Sequence, residues 1–133
     1  MTYALDADII SFRLKGLHDM RQRIDTTLAA GNIVIIPPIS YYEVLRGLIA
    51  INATKKLQLF EAMNQQLGQR DMERADWIRA AHLFAECRSA NHTMEGSDLL
   101  QAAYCLQHGF TFVTHNTTHF NHIHDLTIED WVR

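Results

Sequence analysis

The chain has 133 residues, of which 47% are hydrophobic and 20% are charged, so it is long enough for one domain with a buried core. Its formal net charge of −3 disfavours a protein that coats nucleic acid, because such proteins usually carry a net basic face. The sequence contains no apolar run near the roughly 20 residues of a membrane span, so we expect no association with the membrane.

The first half of the chain predicts two strands and three helices. The run Ile33-Val34-Ile35-Ile36 is unbroken and β-branched, which is typical of a strand buried on both faces. Ser40 and Glu43 have the spacing of a capping box and predict the start of the third helix. The predicted elements are a strand over 2–5, helices over 7–16 and 19–30, a strand over 33–36 and a helix from about 40 to 50.

The second half predicts mainly helices, and then a strand. Helices are expected over 53–67, 75–90 and 98–107, a strand over 110–114, an edge strand within 126–132 and a very short strand around 69–72. Strands that alternate with helices predict an α/β fold, with a parallel central sheet of about four to five strands in a single domain over 1–133. In such sheets ligands bind beyond the carboxyl ends of the strands.

The two cysteines and the start of the chain predict a reducing, cytoplasmic setting. Cys87 and Cys105 lie on apolar faces of predicted helices and lack the CxxC spacing of a zinc site. The first residues lack the basic start and small-residue cleavage site of a signal peptide. We therefore expect buried, reduced thiols.

Polar side chains follow the predicted strands or begin the next helices. An unpaired carboxylate at the end of a buried strand, as at Asp6, is costly. Carboxylates gathered at one sheet edge repel each other unless a cation lies between them. Mg²⁺ and Mn²⁺ prefer such oxygen ligands, and they support phosphate chemistry by activating water. The residues that one edge would gather are Asp6, Asp8, Glu43, Asp98 and Asn116.

Each acid also has a purely structural interpretation. Asp8 could cap the first helix, Glu43 could be only the return arm of the capping box, and Asp98 could complement a helix dipole. The chain lacks a Gly-rich P-loop and a GxSxG elbow, which excludes the nucleotide and ester hydrolases that use them.

Four segments, in this order and at this spacing, carry a family resemblance. With them the chain resembles PIN-domain ribonucleases, and in particular the VapC-type toxins of bacterial type II toxin–antitoxin pairs. The segments are YALDADIIS at 3–11, ISYYEVLRG at 39–47, DLLQAA at 98–103 and FVTHNTTHF at 112–120.

The resemblance implies a PIN-like three-layer α/β/α fold and an endoribonuclease that depends on Mg²⁺ or Mn²⁺. It also implies RNA substrates, tRNA among them, a homodimer, and a hetero-oligomer with an inhibitory VapB-type antitoxin. Asp6, Glu43 and Asp98 would be the central acids, Asp8 a further metal ligand, and Asn116 would hold the fourth catalytic position. Asp8 stands where the family commonly has Asn, and Asn116 where many relatives have Asp, so the number of metal ions stays open.

Basic residues and histidines near the acids are candidates for substrate binding. Four histidines crowd one segment and allow three interpretations: a plain polar loop, a transition-metal site, or contact of His115 or His119 with RNA phosphate or with a transferred proton. The residues expected to bind RNA phosphates are Arg13, Lys15, Arg46 and His119, and the histidine segment contains His115, His119, His122 and His124.

Two other functions compete with the nuclease. Asp6-Ala7-Asp8 resembles the D-x-D opening of haloacid-dehalogenase-type phosphatases, which use an aspartyl nucleophile, although Ile10 stands where that family has Thr or Ser. A catalytically inactive binding module with the PIN fold is the other alternative. Activity on small phosphate monoesters would favour the first, and absence of Mg²⁺ binding would favour the second.

Overall fold

The computed structural model of the chain describes residues 1–132, which contain four strands and seven helices. The strands form one parallel sheet in the order β2–β1–β3–β4. This confirms the predicted α/β fold, with four strands. In chain order the elements are β1 (Thr2–Leu5), α1 (Ala7–Lys15), α2 (Met20–Ala29), β2 (Ile33–Ile35), α3 (Pro38–Ala50), α4 (Thr54–Gln66), α5 (Arg74–Ser89), α6 (Gly96–His108), β3 (Thr111–Val113), α7 (Thr117–Phe120) and β4 (Ile128–Glu129).

The sheet separates two hydrophobic clusters, which produces the three-layer arrangement. Successive side chains of a strand point to opposite faces, so Leu5 and Val113 join one cluster while Ala4 and Phe112 join the other. Helices α1 to α4 supply most of the first cluster, and α5 and α6 supply most of the second. All four of these strand residues are fully buried, as strands covered on both faces should be.

The central position of β1 decides where the polar residues meet. β1 pairs with β2 through Ala4 and Ile35 and with β3 through Leu5 and Val113. All strands are parallel, so the segments that follow β1, β2 and β3 leave the sheet at one edge. That edge is where the sequence predicts the acids.

The start of α3 differs from the prediction. The helix begins at Pro38 rather than at a Ser40 capping box, because proline is well suited to the first position of a helix. Ser40 is fully buried within the first turn, and its hydroxyl donates to the Leu5 carbonyl at 2.7 Å instead of capping. The predicted capping box with Glu43 is therefore wrong, and so is that structural explanation of Glu43.

Two smaller predictions have mixed outcomes. Cys87 and Cys105 are buried free thiols, as expected. The short strand predicted around 69–72 is wrong, because the extension of the sheet is a single bridge between Gly68 and Ile35.

No helix within residues 1–132 has the length and apolarity needed to cross a bilayer.

Replacing Gly68 with Ala is expected to destabilise the fold by about 1–3 kcal/mol. A Cβ at Gly68 would lie 2.9 Å from Cγ2 of Ile35, whose β-branched side chain is buried and cannot swing away. Gly47→Ala is the matched control, because a Cβ there meets nothing within 4 Å and should stabilise α3 by about 0.5–1 kcal/mol. Urea unfolding of both variants measures the difference, and equal effects would contradict the packing argument.

Candidate active site

Asp6 stands directly after β1 and has the most perturbed carboxyl group at this edge. It is the N-cap of α1: its Oδ1 accepts from the Ala7 N–H at 2.8 Å, and its Oδ2 accepts from the Thr114 hydroxyl at 2.8 Å. Burial, followed by the charge of Asp8, raises the pKa of Asp6 from 3.8 to about 6, with a smaller contribution from Glu43. The two hydrogen bonds oppose this rise without cancelling it. The site therefore favours a bound positive charge.

Asp8 lies between the start of α1 and the segment after β3. Its Oδ1 accepts from the Ile9 N–H at 2.7 Å and its Oδ2 from the His115 N–H at 3.0 Å. Burial is the main cause that raises its pKa, and the hydrogen bonds to His115 and Ile9 lower it. Since Asp6 is the N-cap of α1, the interpretation of Asp8 as that cap is wrong.

Glu43 projects from α3 toward the same edge. Burial raises its pKa most, Arg46 lowers it, and the charges of Asp98 and Asp8 raise it further. The Arg46 guanidinium lies 4.0 Å from the Glu43 carboxylate and 5.1 Å from the centroid of the Tyr42 ring. Lys15 lines the same groove as Glu43.

Asp98 approaches from the first turn of α6, two residues after the helix begins at Gly96. Its Oδ2 lies 2.9 Å from Nε2 of His119, which belongs to α7. Burial raises the pKa of Asp98, His119 lowers it, and Glu95 raises it. The histidine is thus held against one of the predicted ligands.

The predicted acids converge, but they do not already form a closed cage. The charges of Asp8 and Glu43 raise the pKa of Asp6, and the charge of Asp98 raises the pKa of Glu43. Each of the four acids therefore lies close enough to at least one other to interact with it electrostatically. Among residues 1–132, no three His, Cys, Asp or Glu side chains are already arranged to hold a metal ion. The donor set itself, four carboxylates with raised pKa, fits a hard divalent cation.

The other predicted site residues have different outcomes. Asn116 follows β3 as predicted; it is exposed, its N–H donates to the Thr114 hydroxyl at 3.1 Å, and its side chain makes no cap hydrogen bond. Arg46 and Lys15 border Glu43, as described above. Arg13 is half-buried on α1 and forms no salt bridge with any residue of the described chain.

The four clustered histidines do not converge on one point. His119 contacts Asp98, whereas each of the others has a different neighbour. Nδ1 of His115 is 3.0 Å from Asp130, the His122 ring stacks on His92 at 4.4 Å, and His124 lies 3.4 Å from Asp125.

Thr114 and Asp130 are site residues that the sequence interpretation missed. Thr114 is fully buried and connects Asp6 to Asn116 through its hydroxyl, and its signal was a hydroxyl residue at the end of an apolar strand. Asp130 orients His115 from beyond β4, and nothing in the sequence indicated that pairing.

Thr114→Val should raise the pKa of Asp6 above its wild-type value of about 6. The variant keeps the shape of the buried side chain but removes the hydroxyl that donates to the charged carboxylate, and that hydrogen bond is one of the contacts that lower this pKa. Carboxyl-carbon NMR titration of the metal-free protein measures the change. Thr27→Val, whose hydroxyl donates to Arg23 on α2, is the control and should leave Asp6 unchanged. A fall in the Asp6 pKa would contradict the role of Thr114.

Comparison with known proteins places this geometry in a family. The chain matches the model of the PIN domain over residues 3–126. No curated protein matches it at a significant level.

Similar solved structures come from several bacteria. One is VapBC2 from Rickettsia felis, solved with a promoter DNA fragment. The alignment with it includes 98% of the present chain and 99% of the VapBC2 chain, at 23% identity and a TM-score of 0.87. DNA-bound VapBC from Salmonella typhimurium has a TM-score of 0.88 at 22% identity, with 98% of each chain covered. VapBC-1 from nontypeable Haemophilus influenzae has a TM-score of 0.82 at 20% identity, again with 98% of each chain covered. At these identities the likeness shows the fold, and the match to the family model shows that the chain belongs to the PIN domain family.

Proposed function

We propose that the chain is a VapC-type toxin, an endoribonuclease that depends on Mg²⁺ or Mn²⁺ and is neutralised by a VapB-type antitoxin. The observation that carries the nuclease is the convergence of four carboxylates with raised pKa at the carboxyl edge of a parallel sheet. Membership of the PIN domain family supports this activity. The likeness in fold to chains of VapBC complexes supports the toxin–antitoxin role.

The metal ligands in this proposal are Asp6, Asp8, Glu43 and Asp98. A divalent cation held by them would lower the pKa of a bound water and polarise a phosphoryl oxygen. It would also offset the cost of burying the four acids in their ionised form, which is the main cause of their raised pKa values. Asn116 supplies a neutral amide in place of a fifth negative charge, which favours one tightly held cation over two.

The surrounding residues of the chain have separate roles. Thr114 and the Ala7 N–H fix both oxygens of Asp6, so this carboxylate is oriented before any ligand arrives. The charge of Arg46 lowers the pKa of Glu43, and Lys15 lines the groove beside Glu43. Both residues bind the RNA backbone by its phosphates. Arg13 extends that basic margin along α1.

His119 is the chain's candidate for contact with the cleaved phosphate. Its Nε2 lies 2.9 Å from Asp98, and about half of its side chain is exposed, so the imidazole is both anchored and accessible. In this position it binds a phosphate oxygen or donates a proton to the leaving oxygen.

Exposed apolar side chains supply surface for the antitoxin and for a homodimer. Large hydrophobic residues on α3 and α5 are about half exposed. They are Tyr42, Ile49, Trp77, Ile78 and Phe84.

The decisive experiment is RNA cleavage by purified protein. Total RNA that contains tRNA is incubated with Mg²⁺ or Mn²⁺, with EDTA, and with an added candidate antitoxin encoded by the adjacent reading frame. We expect discrete RNA fragments that disappear with EDTA and with the antitoxin. Hydrolysis of para-nitrophenyl phosphate without RNA cleavage would favour the aspartyl-nucleophile phosphatase, and neither activity would favour an inactive PIN-fold binding module.

A further inference from the structure

A buried chain of hydrogen bonds lies directly behind the acids. Ser40 is fully buried and Gln101 is 1% exposed. Nε2 of Gln101 donates to Oγ of Ser40 at 2.5 Å, and Oγ of Ser40 donates to the carbonyl of Leu5 at 2.7 Å. The chain thus joins α6, α3 and β1.

A proline just after β2 explains why the Ser40 hydroxyl is needed as a hydrogen-bond donor. In the β1–β2 ladder the Ile33 N–H donates to the Met1 carbonyl, and a parallel ladder repeats every two residues. The donor that should reach the Leu5 carbonyl is therefore residue 37. Pro37 has no N–H, so the ladder ends one hydrogen bond short. The Ser40 hydroxyl supplies the missing donor from the first turn of α3.

The direction of the hydrogen bonds leaves one end of Gln101 without a partner. A serine hydroxyl has one proton, and Ser40 gives it to Leu5, so Gln101 must donate to Ser40 through its amide nitrogen. Oε1 of Gln101 is buried and has no hydrogen-bond partner among residues 1–132. A buried unpaired carbonyl costs stability, and an apolar side chain would avoid that cost. The amide is therefore better explained by function than by stability.

The hydrogen-bonded residues Leu5, Ser40 and Gln101 each lie close in sequence to one of the central acids, which indicates the function of the hydrogen bonds. Leu5 immediately precedes Asp6. Ser40 lies three residues before Glu43, and Gln101 three residues after Asp98, which places each on the same helix face as its acid, one turn away. The three segments joined by the hydrogen bonds are therefore those that carry the three central acids.

We propose that Ser40 and Gln101 are positioning residues that set the separation of Asp6, Glu43 and Asp98 and thereby the affinity of the site for a divalent cation. The proposal rests on the metal-dependent function proposed above. The acids repel each other across β1, α3 and α6, and a buried tie between these elements limits how far the repulsion opens them. Partners behind metal ligands commonly change metal affinity by roughly 10–100-fold.

The test is Mn²⁺ binding by isothermal titration calorimetry to wild type, Gln101→Met, Ser40→Ala and the double variant. Gln101→Met keeps the volume and the Ser40–Leu5 bond but removes the donor, and we expect its Kd for Mn²⁺ to rise roughly tenfold. Because the hydrogen bonds are connected in series, the effects of the two substitutions should not add. The Kd of the double variant for Mn²⁺ should be about that of the single variant that binds more weakly. RNA cleavage should recover when the Mn²⁺ concentration is raised above the new Kd.

A core control separates positioning from stability. Leu83→Ala truncates a buried side chain of α5 and should lower the melting temperature with no change in Mn²⁺ affinity. An unchanged Kd in folded Gln101→Met, with wild type binding normally, would overturn the positioning role and leave the proposed nuclease intact. Failure of wild type to bind Mn²⁺ would overturn both. If Ser40→Ala does not fold, Gln101→Met alone decides the result.

Discussion

Asp6→Asn is expected to abolish RNA cleavage and to make the metal-free protein more stable. Asp6 is the central ligand of the proposed site. Its loss should therefore lower the rate of RNA cleavage by more than the roughly 10–100-fold that is typical when a residue behind a metal ligand is removed. The metal-free fold gains because burial and the charge of Asp8 disfavour an ionised carboxylate there. The amide oxygen of Asn can still accept from Ala7, so the start of α1 is retained. We expect a gain of roughly 1–3 kcal/mol near neutral pH.

The measurement pairs cleavage of RNA with urea unfolding in EDTA. Asp71→Asn is the control, because it also removes one negative charge, but from an exposed position outside the site. It should change neither property appreciably. An Asp6→Asn variant that cleaves RNA at the wild-type rate would refute the role of Asp6, and a variant that is inactive only because it is unfolded would refute the predicted gain in stability.

The metal-free protein is expected to lose stability as the pH rises from about 4 to about 6. The folded state holds the Asp6 proton up to a pKa of about 6, whereas the unfolded chain releases it near 3.8. Within this interval the folded state binds more protons, so the contribution of Asp6 is complete below about pH 3.8 and is lost as the pH passes through 6. Since each pKa unit is worth about 1.4 kcal/mol, the loss is at most about 3 kcal/mol. Asp8, Glu43 and Asp98 change in the same direction.

The free energy of unfolding of wild type, compared with Asp6→Asn at each pH in EDTA, isolates this contribution from other titrating groups. The difference should be small near pH 4, should increasingly favour the variant as the pH rises to about 6, and should level off at higher pH. Saturating Mn²⁺ should reverse the order, because a cation that binds only the folded wild-type site stabilises it. A difference that is constant with pH would show that the carboxyl group of Asp6 titrates normally.

Local signals in the sequence were enough for the sheet and for the acids. Strands β1, β2 and β3 are short apolar runs bounded by Asp, Pro or Gly, and their parallel order follows from the helices between them. Asp6 could be identified because a carboxylate directly after a buried strand is costly. Asp98 could be placed because it stands in the first turn of a clearly periodic helix.

Contacts between distant segments could not be predicted from the sequence. The Ser40–Glu43 pattern has the spacing of a capping box, but Pro38 starts the helix earlier and a tertiary acceptor, the Leu5 carbonyl, takes the hydroxyl. The role of Thr114 toward Asp6 spans 108 positions and depends on the β1–β3 register. No periodicity or motif encodes such a register before the sheet is assembled.

The most direct test of the proposed site is an X-ray structure of crystals soaked in Mn²⁺, with anomalous scattering measured to locate the ion. We expect a Mn²⁺ peak at the carboxyl edge of β1. Oxygen atoms of Asp6, Glu43 and Asp98 should either bind the ion directly at roughly 2.0–2.6 Å or contact a water molecule that does. A well-occupied peak elsewhere, or none at this edge at saturating Mn²⁺, would contradict the claim that these acids form a divalent-cation site.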